Sequence, residues 1–150
     1  MKATYRVLAG LICLLVLVQA AVIAFATFGI LDFVEGGDVY TKSVAEDRAS
    51  DAGGIGQNVH SVGAIAVALV AIVLLVVSFL ARIEGGVKWA GIVFGAVLLR
   101  GVSASVATAV PAVGLLHGLN AFVVFGTAMT AMQNARRSEA VGPAQQASTV

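Results

Sequence analysis

Apolar residues run along this chain in four long blocks, separated by short clusters of charge, glycine or proline. Val7 to Leu31 contains no charged side chain, and Val59 to Ala81 ends at Arg82. Trp89 to Val110 is interrupted only by Arg100, and Ala112 to Met132 gives way to Gln133, Asn134, Arg136 and Arg137. Each block reaches about 20 residues. At roughly 1.5 Å per residue, that covers the ~30 Å of bilayer hydrocarbon in which a backbone finds no water. The pattern predicts four membrane-spanning helices, over about 7–31, 59–81, 89–110 and 112–132, within a transmembrane domain of residues 1–137.

The connections predict how these helices are arranged. Ile83-Glu84-Gly85-Gly86-Val87 reads as a tight turn with paired glycines, and Val110-Pro111-Ala112 as another. Such short links make the second helix an antiparallel neighbour of the third, and the third of the fourth. The expected fold is therefore all-α, a membrane-spanning four-helix bundle. Residues 32–57 form a longer loop, with a short surface helix expected over Tyr40 to Ala49 and a flexible stretch at Ala52-Gly53-Gly54-Ile55-Gly56. Residues 138–150, rich in small and polar types, read as a flexible tail.

Composition agrees with this reading. Of 150 residues, 59% are hydrophobic and 11% charged, against about 45–50% and about 25% in a soluble domain; the mean hydropathy is +0.99. A water-soluble globule and a disordered chain are excluded. Cys13 stands alone, which excludes a disulfide scaffold, and a net charge of +1 gives no basic surface for nucleic acid. Lys2, Arg6, Arg82, Lys88, Arg136 and Arg137 fall on one side of the four spans, and only Lys42 and Arg48 on the other. Because basic flanks are retained in the cytoplasm, both termini are expected there, with the loop carrying Asp32, Glu35, Asp38, Glu46, Asp47 and Asp51 outside. The first apolar run exceeds the roughly 7–15 residues of a signal core, so it reads as a retained helix, with Cys13 a small packing residue.

The chain also resembles itself. Gln19 to Thr27 and Arg100 to Thr108 share an offset of 81, with a polar residue at the first place and Ala-Thr at the last two. His60-Ser-Val-Gly-Ala64 and His117-Gly-Leu-Asn-Ala121 match at the start of the second and fourth helices. Two parallel hairpin repeats are implied, related by an axis along the membrane normal.

Polar residues inside these helices are the candidates for function, because an ionisable group there costs about 2.5–3.5 kcal/mol on insertion scales. Arg100 is the costliest. Gln19 lies at the matching place in the first helix and is a natural partner for a guanidinium, so Arg100 reads either as structural glue to Gln19 and main-chain carbonyls or as an anion clamp. The clamp would hold a heme propionate, a quinone oxygen or a substrate carboxylate. His60 and His117, the only two histidines, lie about 33 Å from Arg82 and about 28 Å from Arg136 along their helices. Two imidazoles at one level on two helices are what six-coordinate heme iron requires. Gly63, Ala64, Gly114, Gly118 and Ala121 would leave space for the ring, with Phe25, Phe28, Phe122 and Phe125 at its edges. The structural alternative makes each histidine a hydrogen-bonding or interfacial residue, with Gly91/Gly95 and Gly114/Gly118 as close-packing pairs. No phosphate loop, zinc spacing or Ser-His-Asp set is found, and every acid lies outside the spans.

The His-x-x-Gly start of the second helix, the His-x-x-Asn-Ala start of the fourth and the short inner turn resemble a group of small four-helix membrane proteins of unassigned function from actinobacteria. The likeness extends over all four helices. More loosely, the architecture is similar to bacterial four-helix cytochromes b, whose bundle histidines hold heme and exchange electrons with quinol. Those di-heme proteins need four histidines, so two imply one heme b at most. The resemblance implies His60 and His117 as axial ligands and metal-binding residues, Gln19 and Arg100 beside the cofactor, and the bacterial cytoplasmic (inner) membrane as the location. Two functions stand against one another: a b-type heme or quinone-site electron-transfer protein, and a non-catalytic subunit or scaffold that docks a membrane-protein partner or a second copy of itself. A small-molecule carrier built on Arg100 would need to oligomerise to enclose a path.

Overall fold

The computed structural model describes residues 1–47 and 51–147, with side chains described to residue 140. Five helices follow in order: α1 Lys2–Glu35, α2 Lys42–Glu46, α3 Ala52–Ala81, α4 Gly86–Ala107 and α5 Val113–Ala147. Among the described residues there is no strand. The four long helices are each long and apolar enough to cross a membrane, as the four apolar blocks predict. This is a multi-pass membrane protein by the length and composition of its helices.

The helix ends differ from the expected ones, and contacts explain the difference. α1 begins at Lys2 rather than Val7, because Tyr5 is fully buried and its hydroxyl donates to the Gly86 carbonyl at 2.8 Å. α3 begins at Ala52 rather than Val59: the Asp51 carboxylate accepts the Gly54 N–H at 2.9 Å, capping the first turn. The glycine stretch expected to be flexible is thus helical, and α1 and α3 extend into the loop expected over 32–57. Within it, α2 is a short helix capped by Thr41, whose Oγ1 accepts the Val44 N–H at 3.4 Å. The Ala49 end of the surface helix expected there lies outside the described residues. α4 ends at Ala107, three residues before the expected Val110. α5 continues to Ala147, so the tail expected over 138–150 is helical as far as that residue, and 148–150 lie outside the described residues. Lys2 Nζ donating to the Ser138 carbonyl at 3.1 Å and Arg6 paired with Glu139 at 2.6 Å tie that helix down.

Between α3 and α4 the turn is made where the sequence places its glycines. Gly85 sits at φ +68°, which costs a residue without Cβ little, and the Gly86 N–H closes the turn on the Ile83 carbonyl at 2.9 Å.

The chain divides into two compact units, residues 1–16 with 67–150 and residues 17–66. In the first, segments of α1, α3, α4 and α5 share one buried cluster built from small residues. Its stripes follow helical spacing: Val67, Ala71, Leu74 and Ala81 on α3, and Val124, Ala128, Ala131 and Ala135 on α5. Cys13 belongs to it, with its thiol against the Phe125 carbonyl at 3.7 Å. Tyr5, Ile12 and Leu74 are the large side chains within it, and many others are exposed; Phe79, Leu115 and Phe122 expose 66%, 73% and 76% of their surface. Mostly small residues inside and large apolar ones outside suit a helix assembly in lipid, where close approach replaces the hydrophobic effect as the packing force.

In residues 17–66 the second half of α1 and the start of α3 run antiparallel at very short range. A Cβ on Gly56 would stand 2.7 Å from Ala26 Cβ, and one on Gly29 would stand 2.6 Å from the Gly53 nitrogen. Backbone meets backbone there. Phe33 and Tyr40 pack edge to face at 6.1 Å, fastening the loop to the end of α1.

Candidate functional site

Each unit contains a polar locus with a histidine, and the two are built alike. In residues 17–66, the His60 Nδ1 lies 3.3 Å from the main-chain oxygen of Gln19. The Gln19 side chain is 2% exposed, and its amide fills the space beside Gly63: a Cβ at that glycine would fall on Gln19 Nε2. Gln19 Oε1 is buried and accepts no hydrogen bond among the described residues.

The second locus lies between α4 and α5. His117 Nδ1 lies 3.1 Å from the main-chain oxygen of Arg100, which also accepts from Ser103 Oγ at 3.0 Å. One turn along each helix, Asn120 Nδ2 donates to the Ala96 carbonyl at 2.6 Å. The contacts run His117 to Arg100 and then Asn120 to Ala96, the order of an antiparallel pair. Arg100 is half-buried, and its Nη1 is sealed from solvent with no acceptor among the described residues. Leaving a buried charged donor unpaired costs more than the ~1–3 kcal/mol of a neutral one.

The offset of 81 that relates Gln19 to Arg100 therefore recurs as one hydrogen bond made twice, each time from a histidine to the carbonyl of the corresponding residue. The same separation relates Tyr5 to Gly86, the pair joined by the buried tyrosine hydroxyl. At the third residue after each histidine the loci part. Gly63 gives its space to Gln19, whereas Asn120 uses its own side chain to hold α4.

Chemically, these bonds define the imidazoles. A carbonyl oxygen only accepts, so Nδ1 carries the proton in each neutral ring and Nε2 carries the lone pair. Histidines that bind metals have this second hydrogen bond as a rule, because it sets tautomer and ring orientation. Among the described residues no group of three or more His, Cys, Asp and Glu side chains gathers, so iron at either imidazole would need a porphyrin to complete its ligands. The surroundings fit such a ring unevenly. A Cβ position on the exposed Gly118 meets nothing within 4 Å among the described residues, and the space at Gly63 is taken by the Gln19 amide. Phe25, Phe28 and Phe122 are exposed, and Phe125 packs on the buried cluster.

Sequence reasoning singled out Gln19, His60, Arg100 and His117 but not the acceptors that hold them, which are main-chain atoms and leave no trace in residue type. The close-packing pairs expected at Gly91/Gly95 and Gly114/Gly118 are not made among the described residues. Gly91, Gly95 and Gly118 have nothing within 4 Å of a Cβ position, and Gly114 reaches Ala107 only at an ordinary 3.9 Å. The close contacts belong to Gly29, Gly53, Gly56 and Gly63. Their signal was the spacing Gly53-x-x-Gly56 facing Ala26-x-x-Gly29. Comparison with protein-family models, with characterised proteins and with solved structures finds no match for this chain.

Proposed function

We propose that this chain is a membrane electron-transfer protein that carries one b-type heme, with His60 and His117 as iron ligands. The observation that carries the reading is the repeated hydrogen bond from imidazole Nδ1 to a main-chain oxygen, at 3.3 Å and 3.1 Å, which makes Nε2 the metal-competent nitrogen of both rings. The heme, when bound, supplies reversible one-electron transfer, with a quinone as its natural membrane-soluble partner. The carbonyls of Gln19 and Arg100 hold the rings in orientation and tautomer. In this reading the four spans form a bundle of two parallel hairpin repeats in the bacterial cytoplasmic membrane. Both termini face the cytoplasm, and the histidines lie near the outer leaflet.

Absorption spectroscopy tests it directly. Protein purified in detergent from heme-replete cells is expected to show a Soret band, and His60→Ala and His117→Ala are each expected to abolish its low-spin form. A colourless wild-type preparation rejects the reading.

A second reading, a non-catalytic subunit or scaffold, draws support from Gly91 and Gly95. Among the described residues nothing lies within 4 Å of a Cβ position on these exposed glycines of α4, which lie beside the exposed Ile92 and Leu99. A colourless protein that co-purifies with a stoichiometric membrane partner, lost on Gly91→Leu or Gly95→Leu, would establish it.

A further inference from the structure

We propose that Arg100 is a carboxylate-binding site within the α4–α5 hairpin, taking the acid group of a membrane-soluble amphiphile. A guanidinium stays charged, donates through five N–H groups and accepts nothing. Here Nη1 is sealed from solvent without an acceptor, and no carboxylate of the described residues pairs with it; the ion pairs found are Arg6–Glu139 and Lys42–Glu46. Two main-chain oxygens of this hairpin already accept side-chain donors. That of Arg100 accepts from Ser103 and His117, and that of Ala96 from Asn120. Arg100 Nη1 therefore lacks an acceptor among the described residues, and the anion of a bound ligand would supply one.

The arrangement also selects which anion. Arg100 is the single cation within its apolar block, so it balances one negative charge rather than two. Its planar fork matches a carboxylate in bidentate geometry. It lies seven residues before Ala107, the last residue of α4, about 10 Å along the axis. That depth disfavours a phosphodiester, which stays at headgroup level, and favours an acid carried on an apolar body. A fatty acid and a heme propionate both have this chemistry, and the proposal does not depend on which of them is bound.

The test compares acid with ester on the full-length protein in detergent, by native mass spectrometry, using oleate against methyl oleate and hemin against its dimethyl ester. At least about tenfold preference for the acid is expected in one pair or both, lost in Arg100→Gln and partly kept in Arg100→Lys. Arg82→Gln, an exposed cation in the α3–α4 turn, should leave the preference unchanged. Glutamine is the residue at the corresponding place of the first hairpin, and retained helicity and elution volume would confirm folding. Loss in the oleate pair alone identifies a fatty acid, and loss in the hemin pair alone identifies a propionate. Wild-type indifference to esterification in both pairs overturns the proposal without any variant, as does a preference that survives Arg100→Gln. A colourless protein that selects oleate would support the carboxylate site while rejecting heme, and a heme-loaded protein indifferent to esterification would do the reverse.

Discussion

Helices meet in two different ways in this molecule. In residues 17–66, Gly29, Gly53 and Gly56 bring main chain against main chain, and a single added Cβ would stand under 3 Å from its neighbours. In residues 1–16 with 67–150, contact is made by side chains, chiefly alanine and valine, while Gly91, Gly95, Gly101, Gly118 and Gly126 face open space. The same residue type is a packing requirement in one unit and a tolerated gap in the other. A membrane helix can be rich in glycine either because a neighbour approaches or because no neighbour does.

The sharpest way to break this comparison is to make one substitution in both regions. Gly56→Ala should lower unfolding stability in detergent by about 1–3 kcal/mol, because the atoms it meets at Ala26 include backbone and cannot rotate away. Gly95→Ala should leave stability unchanged or raise it by up to about 1 kcal/mol through helix propensity. Equal effects would show that the two modes of contact do not differ. Next in size is Asn120→Leu, which removes the 2.6 Å bond to the Ala96 carbonyl. A loss of about 1–2 kcal/mol in the same unfolding assay is expected.

Gly63→Ala tests the polar locus of residues 17–66 against its counterpart. A loss of about 1 kcal/mol is expected, less than at Gly56 because the obstacle is the end of a side chain, and Gln19→Ala in the same chain should recover most of it. Additive losses in that double-mutant cycle would mean that the glycine does not serve the glutamine. The smallest effect belongs to the partly exposed Arg6–Glu139 pair. Glu139→Gln should cost about 0–1 kcal/mol and only at low salt, which a salt titration of the melting curve would read.

Where the sequence was legible, a strong physical demand stood behind the pattern. Hydrocarbon tolerates few charges, so the four spans and the rare polar residues within them stand out by residue type alone. Helix ends were less legible. The start of α3 depends on Asp51 capping Gly54, and the persistence of α5 past Ser138 depends on Lys2 and Arg6, more than 130 residues away in the chain. The polar loci were half legible: Gln19, His60, Arg100 and His117 could be named, but their hydrogen-bond acceptors are carbonyl oxygens, which every residue possesses.

Residue order by itself thus determined the membrane class, the number of spans and the internal offset that pairs Gln19 with Arg100, since each is a statement about which side chains a bilayer admits and how often they recur. Only the tertiary structure decided which glycines carry contact, which main-chain oxygen each imidazole Nδ1 faces, and that the Arg100 Nη1 is buried without an acceptor among the described residues. Those outcomes depend on what stands opposite a residue, and the neighbour is chosen by packing across helices rather than by sequence position.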